Sequence, residues 1–322
     1  MRQAVEWLNA DCGSLKGRGI MTPIQFGFTM PIDELKTMQR GTYVQDMHRA
    51  LDLIEGQFDS IWVIDHLEDV LESFTTLTFM AALHPQFKFG HVVVCQSFRN
   101  PALLANMGAT LQLLSGGRFQ LGIGAGWHAR EYKAYGYDFP PGSVRVQQLE
   151  EALHIIRAMW TQPRASFTGK HYRIDDVDCG LRPDPMPKIM VGGTGPKMLQ
   201  VTAKYADEWN VSSTGPQRYE RLAAAFAHAC EVVERDPATV RRSWCGGCVC
   251  ARSREEIKRF AADRYVTQEE DFSFVGTPQQ VIEQMQPFID MGVSTFMVDC
   301  GGFPNLTTLE MLIDEVLPAL NG

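Results

Sequence analysis

The sequence predicts an α/β protein of the (β/α)8 TIM-barrel class, with an insertion between helix four and strand five. Three observations carry this. Short β-rich apolar runs alternate with longer amphipathic stretches along the chain, and there are eight such runs. The runs are apolar throughout rather than alternating, which marks parallel strands covered on both faces. Eight strand–helix units in 322 residues fit a closed barrel better than a doubly wound open sheet, the runner-up.

The elements follow in order. Residues 1–20 contain Glu6, Asp11, Lys16 and Arg18 and lack an uninterrupted apolar core. They read as a disordered N-terminal extension or a start-site artefact rather than a secretory signal, ahead of one domain over residues 21–322. The strands are predicted at Ile24–Met30, Ser60–Ile64, Phe89–Cys95, Phe119–Gly124, Lys188–Val191, Trp209–Ser212, Arg242–Cys250 and Thr295–Val298. Helical periodicity follows at Val44–Glu55, Pro101–Leu114, Arg145–Trp160, Pro196–Tyr205, Tyr219–Glu234, Pro278–Met291 and Leu306–Leu317. The rhythm breaks from Gln162 to Pro187, where Phe167–Tyr172 reads as a β-hairpin of a lid or rim insertion. A second irregular stretch, Ala262–Val275, is a candidate cover for the barrel mouth.

Composition excludes several function classes. The formal net charge is -8, so a basic nucleic-acid footprint is absent. No run of about 18 apolar residues exists, so no membrane-spanning helix is expected. The eight cysteines are diluted in a long chain and sit mostly in apolar runs, which favours reduced buried thiols in a cytoplasmic protein. Cys245-Gly-Gly-Cys248-Val-Cys250 has a CxxC spacing, but no second pair completes a zinc set, so a strand of small residues is the better reading. The scattered histidines His48, His84, His154, His171 and His228 form no metal set, and no metal is expected.

The densest signal is Ser115-Gly-Gly-Arg-Phe-Gln-Leu-Gly-Ile-Gly-Ala-Gly-Trp-His-Ala-Arg-Glu-Tyr132. Its glycines Gly122, Gly124 and Gly126 let backbone approach a ligand closely at a strand end. The spacing is GxGxG and no acidic residue follows a second strand, so it is not a dinucleotide fingerprint. Val191-Gly-Gly-Thr-Gly-Pro-Lys197 follows strand five and opens a helix. Gly192, Gly193, Thr194 and Gly195 there form either a phosphate-binding nest or a plain tight turn. Asp65-His66 ends strand two, where barrel catalytic groups sit. A histidine there can donate to or accept from a developing charge; the rival reading is a turn cap with His66 packed on it.

Several stretches together resemble the luciferase-like monooxygenase superfamily, nearest its deazaflavin (coenzyme F420)-dependent oxidoreductase branch. They are Gly126-Trp127, Glu131-Tyr132 and Gly136, then Ser97–Ala105, Pro187–Lys197, Ala206–Asn210 and Gly276–Pro278. The resemblance implies an enzyme that exchanges a hydride between coenzyme F420 and a small organic substrate. The alternative is an FMN monooxygenase using reduced flavin, a reductase partner and oxygen. A sugar-phosphate isomerase or aldolase and a non-enzymatic flavin-binding protein are the rival classes. It also implies catalytic His66, oriented by Asp65, with both beside the ring. A bulge with a cis peptide is implied at Val92–Val93 behind the ring, with Cys95 lining the pocket. Gly126 and Arg130 would contact the cofactor, and Gly192–Gly195 its phosphate. Trp127 is expected near the ring. Arg145 and Glu150 look structural, and Asp207 fixes the loop before strand six. Substrate contacts are expected near Tyr172 and from Trp244 and Phe303. Relatives are often homodimers.

Overall fold

A computed structural model describes residues 23–33, 38–261 and 267–322. The predicted leader and residues 262–266 lie outside the described residues. In chain order, β1 (Gln25–Thr29) leads to α1 (Tyr43–Leu53), and β2 (Ser60–Val63) to α2 (Ser73–Leu83). β3 (Lys88–His91) and β4 (Val94–Cys95) lead to α3 (Pro101–Leu114). β5 (Phe119–Gly124) precedes α4 (Ala129–Ala134) and α5 (Gly142–Thr161). The insertion is the antiparallel pair β6 (Arg164–Thr168) and β7 (Arg173–Asp178). Then come β8 (Lys188–Gly192), α6 (Pro196–Tyr205), β9 (Glu208–Ser212), α7 (Pro216–Val232), β10 (Arg241–Cys250) and α8 (Arg254–Ala261). A small hairpin, β11 (Thr267–Gln268) with β12 (Asp271–Phe272), leads to β13 (Phe274–Gly276) and α9 (Pro278–Asp290). β14 (Thr295–Cys300) and α10 (Thr307–Met311), continued through a π-helical turn into α11 (Leu317–Asn321), complete the chain.

The strands close on themselves. β1 pairs in parallel with β2 and with β14. The ring continues through β3 with β4, then β5, β8, β9 and β10, and β10 pairs back with β14. This is a (β/α)8 TIM barrel, as the sequence predicts. Strand three differs from its prediction as one run. It is interrupted between β3 and β4, at the cis peptide Val92–Val93. Helices α2, α4 and α8 fall outside the predicted helical stretches. α2 is nearly uniformly apolar (Ser-Phe-Thr-Thr-Leu-Thr-Phe-Met-Ala-Ala-Leu), so it carries little helical periodicity.

Local chemistry starts the helices. Pro occupies the first turn of α3, α6, α7 and α9, where its missing N–H leaves nothing unpaired. Asn100 caps α3 and Thr277 forms a capping box with Gln280.

Strand residues alternate between two cores. Ile61, Val63, Ile189 and Val191 face the helices, while Trp62, Met190, Cys245, Val92 and Met297 form a layer inside the barrel. A Cβ at Gly90 would meet the Trp62 ring at 2.6 Å and the Gln120 carbonyl oxygen at 2.5 Å, so glycine there makes room for the indole. That layer is the floor on which the mouth rests. Cys245, Cys248 and Cys250 lie buried in β10, not at a metal-ligand edge. Asp207 accepts the Ile189 N–H at 2.9 Å, in the role expected of it.

Two kinds of buried titratable group make folding pH-dependent. Burial, with a lesser push from Arg99, holds His91 down to about 4 against the pull of Asp65 and Glu72. Burial likewise pushes the Cys245 thiol up to about 12. A depressed histidine contributes stability that is full above its unfolded value of about 6.5 and lost as pH falls toward 4. A raised thiol contributes stability that is full below 9.0 and lost as pH rises toward 12. The urea midpoint should therefore fall on both sides of a plateau at pH 7–9. The acid decline should be shallower in His91→Leu; an unchanged acid limb would show that His91 does not contribute to it.

Candidate active site

A cavity of about 520 Å³ opens at the C-terminal ends of the strands, the end of a barrel where ligands bind. Its wall includes Asp65, His66, Val92, Val93, Cys95, Gly126, Gly192, Gly193 and Thr194, all site residues expected from the sequence. Gly195, at the N-cap of α6, follows Thr194 in the chain and is not itself on the wall. Four other expected residues do not reach the wall. Arg130 is 80% exposed at its side chain and faces Glu68 at 3.5 Å, because the first turn of α4 carries it outward. Trp244 is fully buried, donates to the Thr214 carbonyl at 2.9 Å and packs on Phe274, since its strand position points toward the helices. Phe303 and Tyr172 are likewise not on the wall. The Tyr172 hydroxyl donates to Gln96 Oε1 at 2.9 Å, and the Glu151 carboxylate accepts the N–H groups of Lys170, His171 and Tyr172. The insertion is thus docked on α5, behind strand three.

The Asp65 carboxylate is buried and heavily donated to. It accepts from Ser73 Oγ at 2.5 Å, from Cys95 N–H at 2.9 Å, and from both terminal nitrogens of Arg99 at 2.8 and 3.0 Å. A bidentate guanidinium is the strongest partner a buried carboxylate can have. Asp65 was expected to orient His66; instead its oxygens face Ser73, Cys95 and Arg99. The group that holds His66 is Glu131. Glu131 Oε2 lies at hydrogen-bond distance, 3.1 Å, from His66 Nδ1, and Oε1 accepts the backbone N–H groups of Leu67 and Glu68. His128 Nδ1 stands 3.8 Å from the same Oε2, too far for a hydrogen bond. Trp127, 71% exposed, meets the His66 ring edge-on at 5.8 Å and stacks on His128. Glu131 sits inside the motif that flagged this region. Its burial and its reach across to residues 66–68 are properties of the folded chain. The signal that could have found it is its spacing from His128, which puts both at the start of α4.

Part of the wall is backbone. Gly126 has φ +75°, and a Cβ there would strike Tyr132 Oη and Cys95 Sγ, which bond each other at 2.9 Å. Val93 lies against Gly124 and Gly192, where a Cβ would stand 2.8 and 3.0 Å from its methyl carbons. The starts of α6 and α7 lie at the rim, beside Thr194 and Arg218 of the cavity wall. α7 has its first turn filled: the Glu269 carboxylate accepts Arg218 N–H at 2.9 Å and the Glu269 carbonyl accepts Gly215 N–H at 3.0 Å. α6 has no side-chain cap, so its first-turn amides and positive dipole end face outward beside Thr194. The Gly193 N–H is committed to the Asn210 carbonyl at 3.3 Å, so the anion site rests on the later amides. A planar ring over the glycine wall with a phosphate at α6 fits this layout, and Arg218 is a cation on the cavity wall.

The luciferase-like monooxygenase family model matches residues 24–270. The F420-dependent glucose-6-phosphate dehydrogenase of Amycolatopsis mediterranei is 27% identical over 303 residues, covering 83% of this chain and 91% of that protein. An F420-dependent secondary alcohol dehydrogenase, solved with an F420–acetone adduct, superposes with a TM-score of 0.79 at 19% identity, over 93% of this chain and 100% of that one. The oxygenating constituent of 3,6-diketocamphane monooxygenase from Pseudomonas putida, solved with FMN, superposes with a TM-score of 0.74 at 18% identity, over 92% and 98%. These structural likenesses are likenesses of fold.

Removing Arg99 leaves the Asp65 charge buried with two neutral donors. Arg99→Met should lower unfolding stability by about 3 kcal/mol in urea titrations. Asp65→Asn added to it should recover part of that loss, because no orphan charge remains. A double variant as unstable as the sum of both singles would mean the pair does not act as a unit.

Proposed function

Because the chain belongs to the luciferase-like monooxygenase family, we propose that it is an oxidoreductase exchanging a hydride between the deazaflavin coenzyme F420 and a small organic alcohol or carbonyl compound. The observation that carries this is the mouth itself, which brings together glycine backbone, an uncapped helix start and His66 held by a buried carboxylate. The names of the relatives, dehydrogenases that use F420, support the cofactor and the reaction class.

When bound, the deazaflavin ring supplies the two-electron chemistry. The chain supplies position and a proton path. Oxidation of an alcohol removes a hydride from carbon and a proton from oxygen; His66 is the group on the cavity wall suited to take that proton, and to return it in the reverse direction. Gly126, Gly192 and Val93 set the distance at which a flat ring can rest, and Cys95 with Tyr132 backs Gly126 from behind. Thr194, Gly195 and the first turn of α6 would hold the phosphate. Burial raises the Cys95 thiol, with Tyr132 its hydrogen-bond partner. That keeps it protonated and inert beside the ring.

The second reading is an FMN monooxygenase fed by a reductase, supported by the FMN-bound neighbour of the same fold. A single barrel domain over residues 21–322, a homodimer and a cytoplasmic location go with either reading. Among the described residues no helix is long and apolar enough to cross a membrane.

Titration with F420 and with FMN, followed by tryptophan fluorescence through Trp127, tests the cofactor. Quenching at micromolar F420 is expected. Micromolar binding of FMN with none of F420 would move the assignment to the monooxygenase. For the proton, His66→Ala should lower kcat about 100-fold while the cofactor Kd changes less than twofold; full turnover in this variant would leave His66 a packing residue.

A further inference from the structure

We infer that Glu131 is a positioning residue that fixes the tautomer of His66, holding the proton on Nδ1 and leaving Nε2 as the acceptor for substrate. The inference rests on the reading of His66 as the proton-handling group, and adds the part that no residue near it in sequence supplies.

The argument begins with the carboxylate. Glu131 is 2% exposed, and a buried carboxylate persists only where donors surround it. Three do so. Oε1 takes the backbone N–H groups of Leu67 and Glu68, and Oε2 takes His66 Nδ1 at 3.1 Å. An ionised carboxylate can only accept. Nδ1 must therefore carry a hydrogen, and a neutral ring then has its lone pair on Nε2. Among the described residues no other side chain competes for the arrangement: Asp65 is taken up by Arg99, Ser73 and Cys95, and His128 is too far from Oε2. The ring plane is held as well, between the edge contacts with Trp127 at 5.8 Å and with His128 at 6.0 Å. The clamp is built across the fold, because Leu67 and Glu68 follow β2 while Glu131 follows β5.

The same geometry dictates what the isosteric amide does. In Glu131→Gln, an NH2 group at the Oε1 position would point its hydrogens at two backbone N–H donors. The amide oxygen must therefore stay there, and the NH2 takes the Oε2 position facing His66 Nδ1. Nδ1 then has to accept, and the ring hydrogen moves to Nε2. One substitution that keeps shape and volume thus turns Nε2 from an acceptor into a donor. The same tautomer logic governs the carboxylate–histidine pair of serine proteases.

The test is ring ¹⁵N NMR of His66 at pH 8, where an ordinary imidazole is neutral, with kinetics on the whole chain. The wild type should show a protonated Nδ1 and an unprotonated Nε2, and E131Q the reverse. E131Q should lose about 100-fold in kcat for alcohol oxidation, with cofactor Kd and substrate KM within twofold. Added to His66→Ala, E131Q should have no further effect on kcat, because Glu131 acts through His66. A wild-type ring with its proton on Nε2 overturns the proposal without any activity measurement, as does an E131Q effect that persists when His66 is absent. Full turnover in His66→Ala with the Nδ1 tautomer intact would instead sink the proton role of His66 and leave the clamp standing.

Discussion

The mouth of this barrel depends on one buried carboxylate being fully satisfied. Asp65 stands at the end of β2, and its two oxygens collect a hydroxyl from the start of α2, a backbone amide from β4 and a guanidinium from the segment before α3. Four stretches of chain separated by up to 34 residues in sequence are thereby drawn to one point. A charge in this position costs far more to leave unpaired than to pair, so the loops after strands two and three have little freedom relative to each other. His66 is the next residue along. Its place on the cavity wall is a consequence of where Asp65 must be.

A second constraint is steric. At Gly124, Gly126 and Gly192 the mouth is lined by backbone, because Tyr132, Cys95 and Val93 occupy the positions that Cβ atoms there would need. Val93 and Cys95 themselves face the cavity, so the glycines and these side chains together form the surface on which a flat ring can rest. Charge placement agrees with it. At the rim the start of α7 already carries the Glu269 carboxylate while that of α6 has no side-chain cap, so the α6 dipole end is open to an anionic group arriving at the mouth.

Much of this was legible along the chain, and the reasons differ by element. Continuous apolar runs of the length of a strand, and helices opened by Asn-Pro, Gly-Pro or Thr-Pro, are local signals, and they place strands and helices to within a few residues at most positions. α2 escaped because an apolar helix with no polar face has no periodicity to read. Trp244 was misplaced because a strand's two faces differ only by one residue of register, and inside a barrel both are apolar. Arg130 was misplaced because one helical turn swings a side chain through a full circle, so adjacency to Gly126 in sequence says little about direction.

By itself the sequence determined the barrel, the strand ends that carry function and the glycine-rich turns that face a ligand, since these follow from period, composition and backbone freedom over a few residues. Only the tertiary structure decided which charges meet. Asp65 was paired with Arg99 rather than with its neighbour His66, and His66 was given to Glu131, 65 residues away. The physical reason is that a buried carboxylate takes whichever donors the packed loops bring within about 3 Å. That choice is made by the closure of the ring of strands, and no local stretch of sequence contains it.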